Sequence, residues 1–132
     1  MKHKRQKKHS LRRSLLLFLT GGIGYYAMEV LYRGYSHPSM ALCGGICLVG
    51  IYRINSIFSR SSLLLRALMS ALFITLTELI CGLIVNLRMG LRVWDYSRMP
   101  CNLAGQICLP FSLLWFALSL PLSLLFSHRK KL

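Results

Sequence analysis

Acidic side chains are almost missing from this chain. Its 132 residues hold three, Glu29, Glu78 and Asp95, against 17 lysines and arginines, for a net charge of +14. A disulfide framework is also disfavoured. The five cysteines (Cys43, Cys47, Cys81, Cys101 and Cys108) are odd in number, lie mostly in apolar surroundings and include no C-x-x-C pair. Cys43 and Cys47 stand four apart on a predicted helix and could share a metal, but no histidine lies near them in sequence. Small apolar residues in a packed helix are the favoured reading, so no metal site and no cofactor are expected. The glycine loop of a P-loop ATPase, H-E-x-x-H and G-x-S-x-G do not occur. ATP hydrolysis by a P-loop of its own is thereby excluded. Neither strand-like alternation nor an internal repeat stands out.

What the chain does have is apolar length. Hydrophobic residues make up 55% of it, and one compact unit is expected. The charge is concentrated at the ends. Seven basic residues fall within the first 13 positions, and Arg129, Lys130 and Lys131 close the chain. Basic residues that abut apolar runs act as anchors on anionic headgroups, worth about 1 kcal/mol each near the surface. Anionic membrane lipids are therefore the expected partners of both ends, and nucleic acid is disfavoured. A secretory signal would also begin with charge followed by Leu15-Leu16-Leu17-Phe18-Leu19. No small-x-small cleavage signal follows, and the apolar run continues through Gly24-Tyr25-Tyr26-Ala27-Met28-Glu29.

The expected architecture is an all-α integral membrane protein, a four-transmembrane-helix bundle. A mobile basic tail (1–13) precedes one membrane domain (14–127), and a basic end (128–132) follows it. The spans fall at about 15–32, 40–58, 63–85 and 107–126. Ala41 and Gly45 form a small-x3-small pair suited to close helix approach. Pro110 and Pro121 lie near the ends of the fourth span. Four spans put both termini on one side. That side collects thirteen lysines and arginines, among them Arg53, Arg60 and Arg66, and the other collects Arg33, Arg88, Arg92 and Arg98. The positive-inside rule then makes both termini cytoplasmic, in the cell (inner) membrane.

One stretch is not apolar. Residues 93–110 pack Trp94, Asp95, Tyr96, Ser97, Arg98, Asn102 and Gln106 between two hydrophobic runs. Amphipathic rings favour the membrane–water interface, so this outer loop is expected to be partly re-entrant after Pro100. Glu78 lies within the third span, where an ionisable group costs about 2.5–3.5 kcal/mol and is a functional candidate by default. Glu78, Gly82 and Asn86 recur every four residues and form one polar stripe, with a gap at Gly82 for a close neighbour. The candidate binding residues are Glu29, His37, Glu78, Asn86, Trp94, Asp95, Tyr96, Asn102 and Gln106. Glu78 is expected to face Asn102, Gln106 or an arginine from 88, 92 or 98. The competing reading makes Glu29 and Glu78 hydrogen-bond or ion-pair glue between helices, and His37, ahead of Pro38, a turn residue. Catalytic residues are not assigned, because sequence places no serine beside His37.

These residues also carry a resemblance. Glu29 after Gly24-Tyr25, the turn Ser36-His37-Pro38-Ser39-Met40, Gly44-Gly45, Glu78-x3-Gly82-x3-Asn86, Val93-Trp94-Asp95-Tyr96-Ser97, and Asn102-x2-Gly105-Gln106-Ile107-Cys108-Leu109 resemble a bacterial ABC-transporter permease family, CmpB-like, over about residues 20–120. The resemblance implies an integral membrane protein with a polar outer face, acting in transport rather than as an enzyme. A permease built this way needs at least a dimer, as a homo-oligomer, and a separate ATPase subunit. The alternatives are an intramembrane enzyme acting on a lipid or lipid-linked headgroup through Glu78, Asp95 and His37, and a structural or accessory subunit. Topology is directly testable. A membrane-impermeant thiol reagent added to intact cells is expected to label Cys101, and reporter fusions that place the termini outside would overturn the arrangement.

Overall fold

The computed structural model describes residues 1–130, with side chains through Ser127. Lys131 and Leu132, part of the expected basic end, lie outside the described residues. The chain is all-helical, and four helices are long and apolar enough to cross a membrane: Lys2–Arg33, Pro38–Ile57, Leu63–Arg88 and Leu109–Ser127. They are α1 (Lys2–Arg33), α2 (Pro38–Ile57), α3 (Leu63–Gly82, prolonged by a π-helical turn Leu83–Arg88) and α4 (Leu109–Lys130). The chain divides into two compact units, Met1–Val49 and Gly50 onward, with the division inside α2.

In the first unit, α1 starts well before the apolar run. The segment expected as a mobile tail is helical from Lys2. The physical reason lies in its composition: no glycine or proline occurs before Gly21, and lysine, arginine, glutamine and leucine are good helix formers. At 1.5 Å per residue the 32-residue helix is about 48 Å long, more than a bilayer core requires. Gly34 stops it in the left-handed region, at φ 82°, and its N–H donates to the Val30 carbonyl at 2.8 Å. The start of α2 is capped by a histidine. The Ser39 N–H donates to His37 Nδ1 at 3.1 Å.

Small residues let α1 and the first half of α2 touch through their backbones. A Cβ added at Gly22 meets the Ala41 carbonyl oxygen at 2.7 Å, and one added at Gly45 meets the Phe18 carbonyl oxygen at 2.7 Å. The expected Ala41/Gly45 pair thus lies in the contact, joined by Gly21, Gly22 and Gly44. In lipid, where apolar side chains gain nothing by leaving one apolar surround for another, such close approach supplies the dispersion energy of association.

In the second unit, Ser62 caps α3 by accepting from the Leu65 N–H at 3.3 Å. The facing surfaces of α3 and α4 again use small residues. Ala67, Ser70, Ser119 and Ser123 are wholly buried, and the Thr75 and Ser112 hydroxyls meet at 3.0 Å. The buried hydroxyls of Ser70 and Ser119 donate to carbonyls one turn back, Arg66 at 2.8 Å and Trp115 at 2.7 Å, so burial leaves them satisfied. The outer face of α3 shows Leu64, Leu68, Leu72, Leu76 and Ile80, every fourth residue, all exposed. In water that stripe is a large apolar patch. Against lipid it is an ordinary solvent face. The second half of α2 belongs to this unit, with Tyr52 edge-on to Phe126 at 5.2 Å.

The glycine contacts can be tested with an internal control. Gly22→Ala is expected to cost about 1–3 kcal/mol by overpacking, whereas Gly24→Ala, with nothing within 4 Å of the added carbon, is not. Thermal unfolding of both variants in detergent reads the difference.

Candidate functional site

The site begins where α3 loses its regular pitch. After Gly82 the helix widens. The Met89 N–H donates to Ile84 O at 2.9 Å, five residues back, and the Leu91 N–H to Val85 O at 3.0 Å, six back. Widened turns of this kind collect at functional positions. Asn86 was expected to open the outer loop. It lies instead inside the π-helical turn and is buried at 6% exposure, like Glu78 and Gly82 of the same stripe.

Asn86 then holds the loop that follows. Its Oδ1 accepts from the Val93 N–H at 2.7 Å and the Trp94 N–H at 3.4 Å, and its Nδ2 donates to Gln106 Oε1 at 2.7 Å. Gln106 Nε2 donates to Ala104 O at 3.0 Å, and the Gln106 carbonyl accepts the Trp94 indole N–H at 2.9 Å. Three of the sequence candidates, Asn86, Trp94 and Gln106, therefore come together as one buried cluster. The gap expected at Gly82 is filled by this cluster: a Cβ there would sit 2.5 Å from Gln106 Oε1 and 3.0 Å from Trp94 Cζ2.

The rest of the loop is a compact knot. The Tyr96 N–H donates to Gly105 O at 2.7 Å, and the Leu103 N–H to Ile107 O at 3.0 Å. Asn102 turns to the loop's own backbone, donating to Ser97 O at 3.2 Å and Met99 O at 2.9 Å and accepting from the Gly105 N–H at 3.2 Å. The tight path forces Arg92, Cys101 and Ala104 to positive φ, at 49°, 52° and 55°. Strain of that kind is held only where surrounding bonds over-determine the backbone. Gly105, at φ 71°, has a second reason to be glycine: an added Cβ would lie 2.9 Å from Asp95 Oδ1. Asp95 itself is exposed. The Ser97 backbone N–H, at 2.9 Å, and the Ser97 hydroxyl hold its carboxyl below the usual carboxylate range, and Arg92 and Arg98 act in the same direction.

Glu78 meets a tyrosine hydroxyl of the loop. The Tyr96 hydroxyl donates to Glu78 Oε2 at 3.3 Å, while the side chains of Gln106 and Asn102 serve the loop. Glu78 is buried at 9% exposure. Tyr96 also stacks on Phe111, with ring centroids 4.8 Å apart and planes 14° apart, and Phe111 leads to Trp115 at 6.2 Å. Sequence reasoning missed Phe111 and Trp115. The available signal was their spacing, four residues apart on one face of α4. The remaining candidates belong to the first unit. Glu29 accepts from the Tyr25 hydroxyl at 2.9 Å and pairs with Arg33 at 2.5 Å. His37 Nδ1 is engaged by the Ser39 N–H and hydroxyl, the latter at 2.7 Å, as the cap of α2.

Chemically, the second-unit site offers a carboxylate inside an apolar helix, a phenol bonded to it and an aromatic ladder beneath. That set suits holding a polar or cationic group against an apolar wall. Four long apolar helices and an inward-folded polar loop define a polytopic membrane protein. Residues 15–129 match the family described as "Putative ABC-transporter type IV", and the chain belongs to that family. No curated protein and no solved structure matches the chain.

If Asn86 is the fastening of the loop, Asn86→Ala leaves the Val93 N–H and Gln106 Oε1 unsatisfied, at about 1–3 kcal/mol each. Cys108, a free thiol at 2% exposure beside the knot, reports the loosening. Its rate of thiol modification is expected to rise about tenfold or more in Asn86→Ala, and an unchanged rate would show that other bonds hold the loop.

Proposed function

We propose that the chain is a permease-like subunit of an ABC-type transporter, with the Glu78–Tyr96 pair and the loop over it forming an outward-facing solute site. Family membership supplies the transport class. The observation that carries the site is the hydrogen bond from Tyr96 to Glu78. It links a loop residue to an acid buried on a spanning helix, and at 3.3 Å it is long for an O–H···O bond. A solute with a hydrogen-bond donor or positive charge can take the place of the Tyr96 hydroxyl at that oxygen, with Phe111 and Trp115 as an apolar wall. ATP hydrolysis is assigned to a separate ATPase subunit, since the chain has no P-loop. The membrane is the cell (inner) membrane, both termini are cytoplasmic, and the basic ends rest on anionic lipid.

A second reading, a structural or accessory subunit, has one observation in its favour. Asn86, Trp94 and Gln106 use their polar side-chain groups on one another and on the loop. That accounts for three of the nine candidates as fastening, and leaves Glu78 and Tyr96 to decide between the readings.

Glu78→Gln keeps the size and the acceptor, and Tyr96→Phe keeps the stacked ring. Both are expected to insert and unfold like the parent protein. Mass spectrometry of small molecules retained after purification in native lipid is the readout. The transporter reading expects a retained solute on the parent chain that falls at least tenfold in both variants. Identical retained sets in all three proteins would favour the structural reading.

A further inference from the structure

The second unit contains a buried cation at the opposite end of α3. Arg66 is 7% exposed. Its Nε donates to Ser61 O at 3.2 Å, and its Nη1 to Asn55 Oδ1 at 2.9 Å, to Ser123 O at 3.4 Å and to the Ser127 hydroxyl. Asn55 is itself held, donating to Ile51 O at 2.8 Å and Ser123 Oγ at 3.2 Å. Every one of these acceptors is neutral. Among the described residues no hydrogen bond reaches Nη2.

Among the described residues no acidic side chain pairs with it. Glu29 pairs with Arg33, Asp95 lies in the outer loop, and Glu78 is twelve residues along α3, about 18 Å away on the axis. A buried charge is ordinarily paired, because desolvation without a counter-charge costs several kcal/mol. Neutral carbonyls and hydroxyls orient the guanidinium but do not neutralise it. The same corner also holds the first-turn N–H groups of Leu63 and Leu64, which a helix cannot satisfy itself. Nearby in the chain, Arg53 and Arg60 are exposed.

We propose that this corner, where the α2–α3 turn meets the C-terminal part of α4, is an anion site for a phosphoryl group, bound through Arg66 Nη2 and the first-turn N–H groups of α3. The guanidinium is fixed on two sides before any ligand arrives, so its remaining N–H edge is preorganised. A tetrahedral phosphoryl oxygen fits that edge. The group comes either from a membrane phospholipid or from a soluble phosphate. The site is independent of the Glu78–Tyr96 reading and stands or falls separately.

Two measurements on the full chain distinguish the sources. In the first, protein in nanodiscs of mixed phosphatidylglycerol and phosphatidylcholine is released into a native mass spectrometer and the retained lipids are counted. In the second, lipid-depleted protein in neutral detergent is titrated with inorganic phosphate at constant ionic strength, and the thermal midpoint is followed. Arg66→Gln is the variant, and Arg53→Gln is the control for general surface charge. One phospholipid retained on the parent and on Arg53→Gln, and reduced at least tenfold on Arg66→Gln, assigns the site to a headgroup. No retained lipid, but a rise in midpoint with phosphate that Arg66→Gln loses, assigns it to a soluble anion. Neither effect in the parent, or equal effects in parent and Arg66→Gln, overturns the proposal. If Arg66→Gln fails to insert, Arg66→Lys keeps the charge without the second N–H edge. Unchanged lipid retention and phosphate response in that variant likewise overturn the proposal.

Discussion

A chain that leaves helical geometry at the edge of an apolar layer must find its hydrogen bonds inside the protein. That constraint shapes the second unit. The widened turn at Leu83–Arg88 interrupts the regular ladder and holds the buried Asn86, whose amide serves the backbone of the returning loop at Val93 and Trp94. Gln106 answers from the other end of the loop. An amide suits this role because it is donor and acceptor at once and carries no charge to desolvate. Asp at position 86 could accept from Val93 but could not donate to Gln106 unless protonated. The loop's strained residues, Arg92, Cys101 and Ala104, are tolerated because this amide pair and the Trp94 indole bond hold both ends.

Much of this organisation was legible in the sequence, and the reasons divide by residue. Four spans followed from apolar length. The gap at Gly82 followed from the four-residue repeat Glu78, Gly82, Asn86, because a small residue between two polar ones on one face invites a neighbour. The identity of that neighbour did not follow. Gln106 reaches Gly82 only because the loop reverses twice through positive-φ residues, and a single sequence does not reveal that Arg92, Cys101 and Ala104 adopt φ values their side chains disfavour. Which of the arginines and tyrosines would reach Glu78 stayed open for the same reason. The arginines at 88, 92 and 98 carry the obvious countercharge, and the fold of the loop brings the Tyr96 hydroxyl to Glu78. The helical state of residues 2–13 was missed because charge density was read as solvation, although every residue there tolerates a helix.

The scarcity of acids has a structural counterpart. With three carboxylates for 17 basic residues, most positive charge must be met by water, lipid or neutral dipoles. Glu29 and Arg33 form an ion pair that closes a single helical turn at the end of α1. Asp95 is stabilised as an anion chiefly by Ser97, with the arginines secondary. Thus neither carboxylate ties distant parts of the chain together. The long-range polar contacts of the second unit are made by amides, hydroxyls, an indole, one guanidinium and the Glu78 carboxylate. The contacts in which both partners are neutral, such as Asn86 with Gln106 and Trp94 with the Gln106 carbonyl, avoid the desolvation penalty of an ion pair.

This places two unlike polar centres on one interface. Arg66 at the start of α3 bonds to Ser123 and Ser127 of α4, while Glu78 near its end faces Tyr96, which stacks on Phe111 of α4. Between them the buried residues of the contact include Ala67, Ser70 and Ser119, small side chains with few rotamers to change. A shift of α4 along α3 cannot be absorbed locally by rotamer changes in such a seam. It must alter the guanidinium bonds at one end and the Tyr96–Phe111 stack at the other, because both are anchored to the same pair of helices. The seam therefore gives the two ends a common mechanical element.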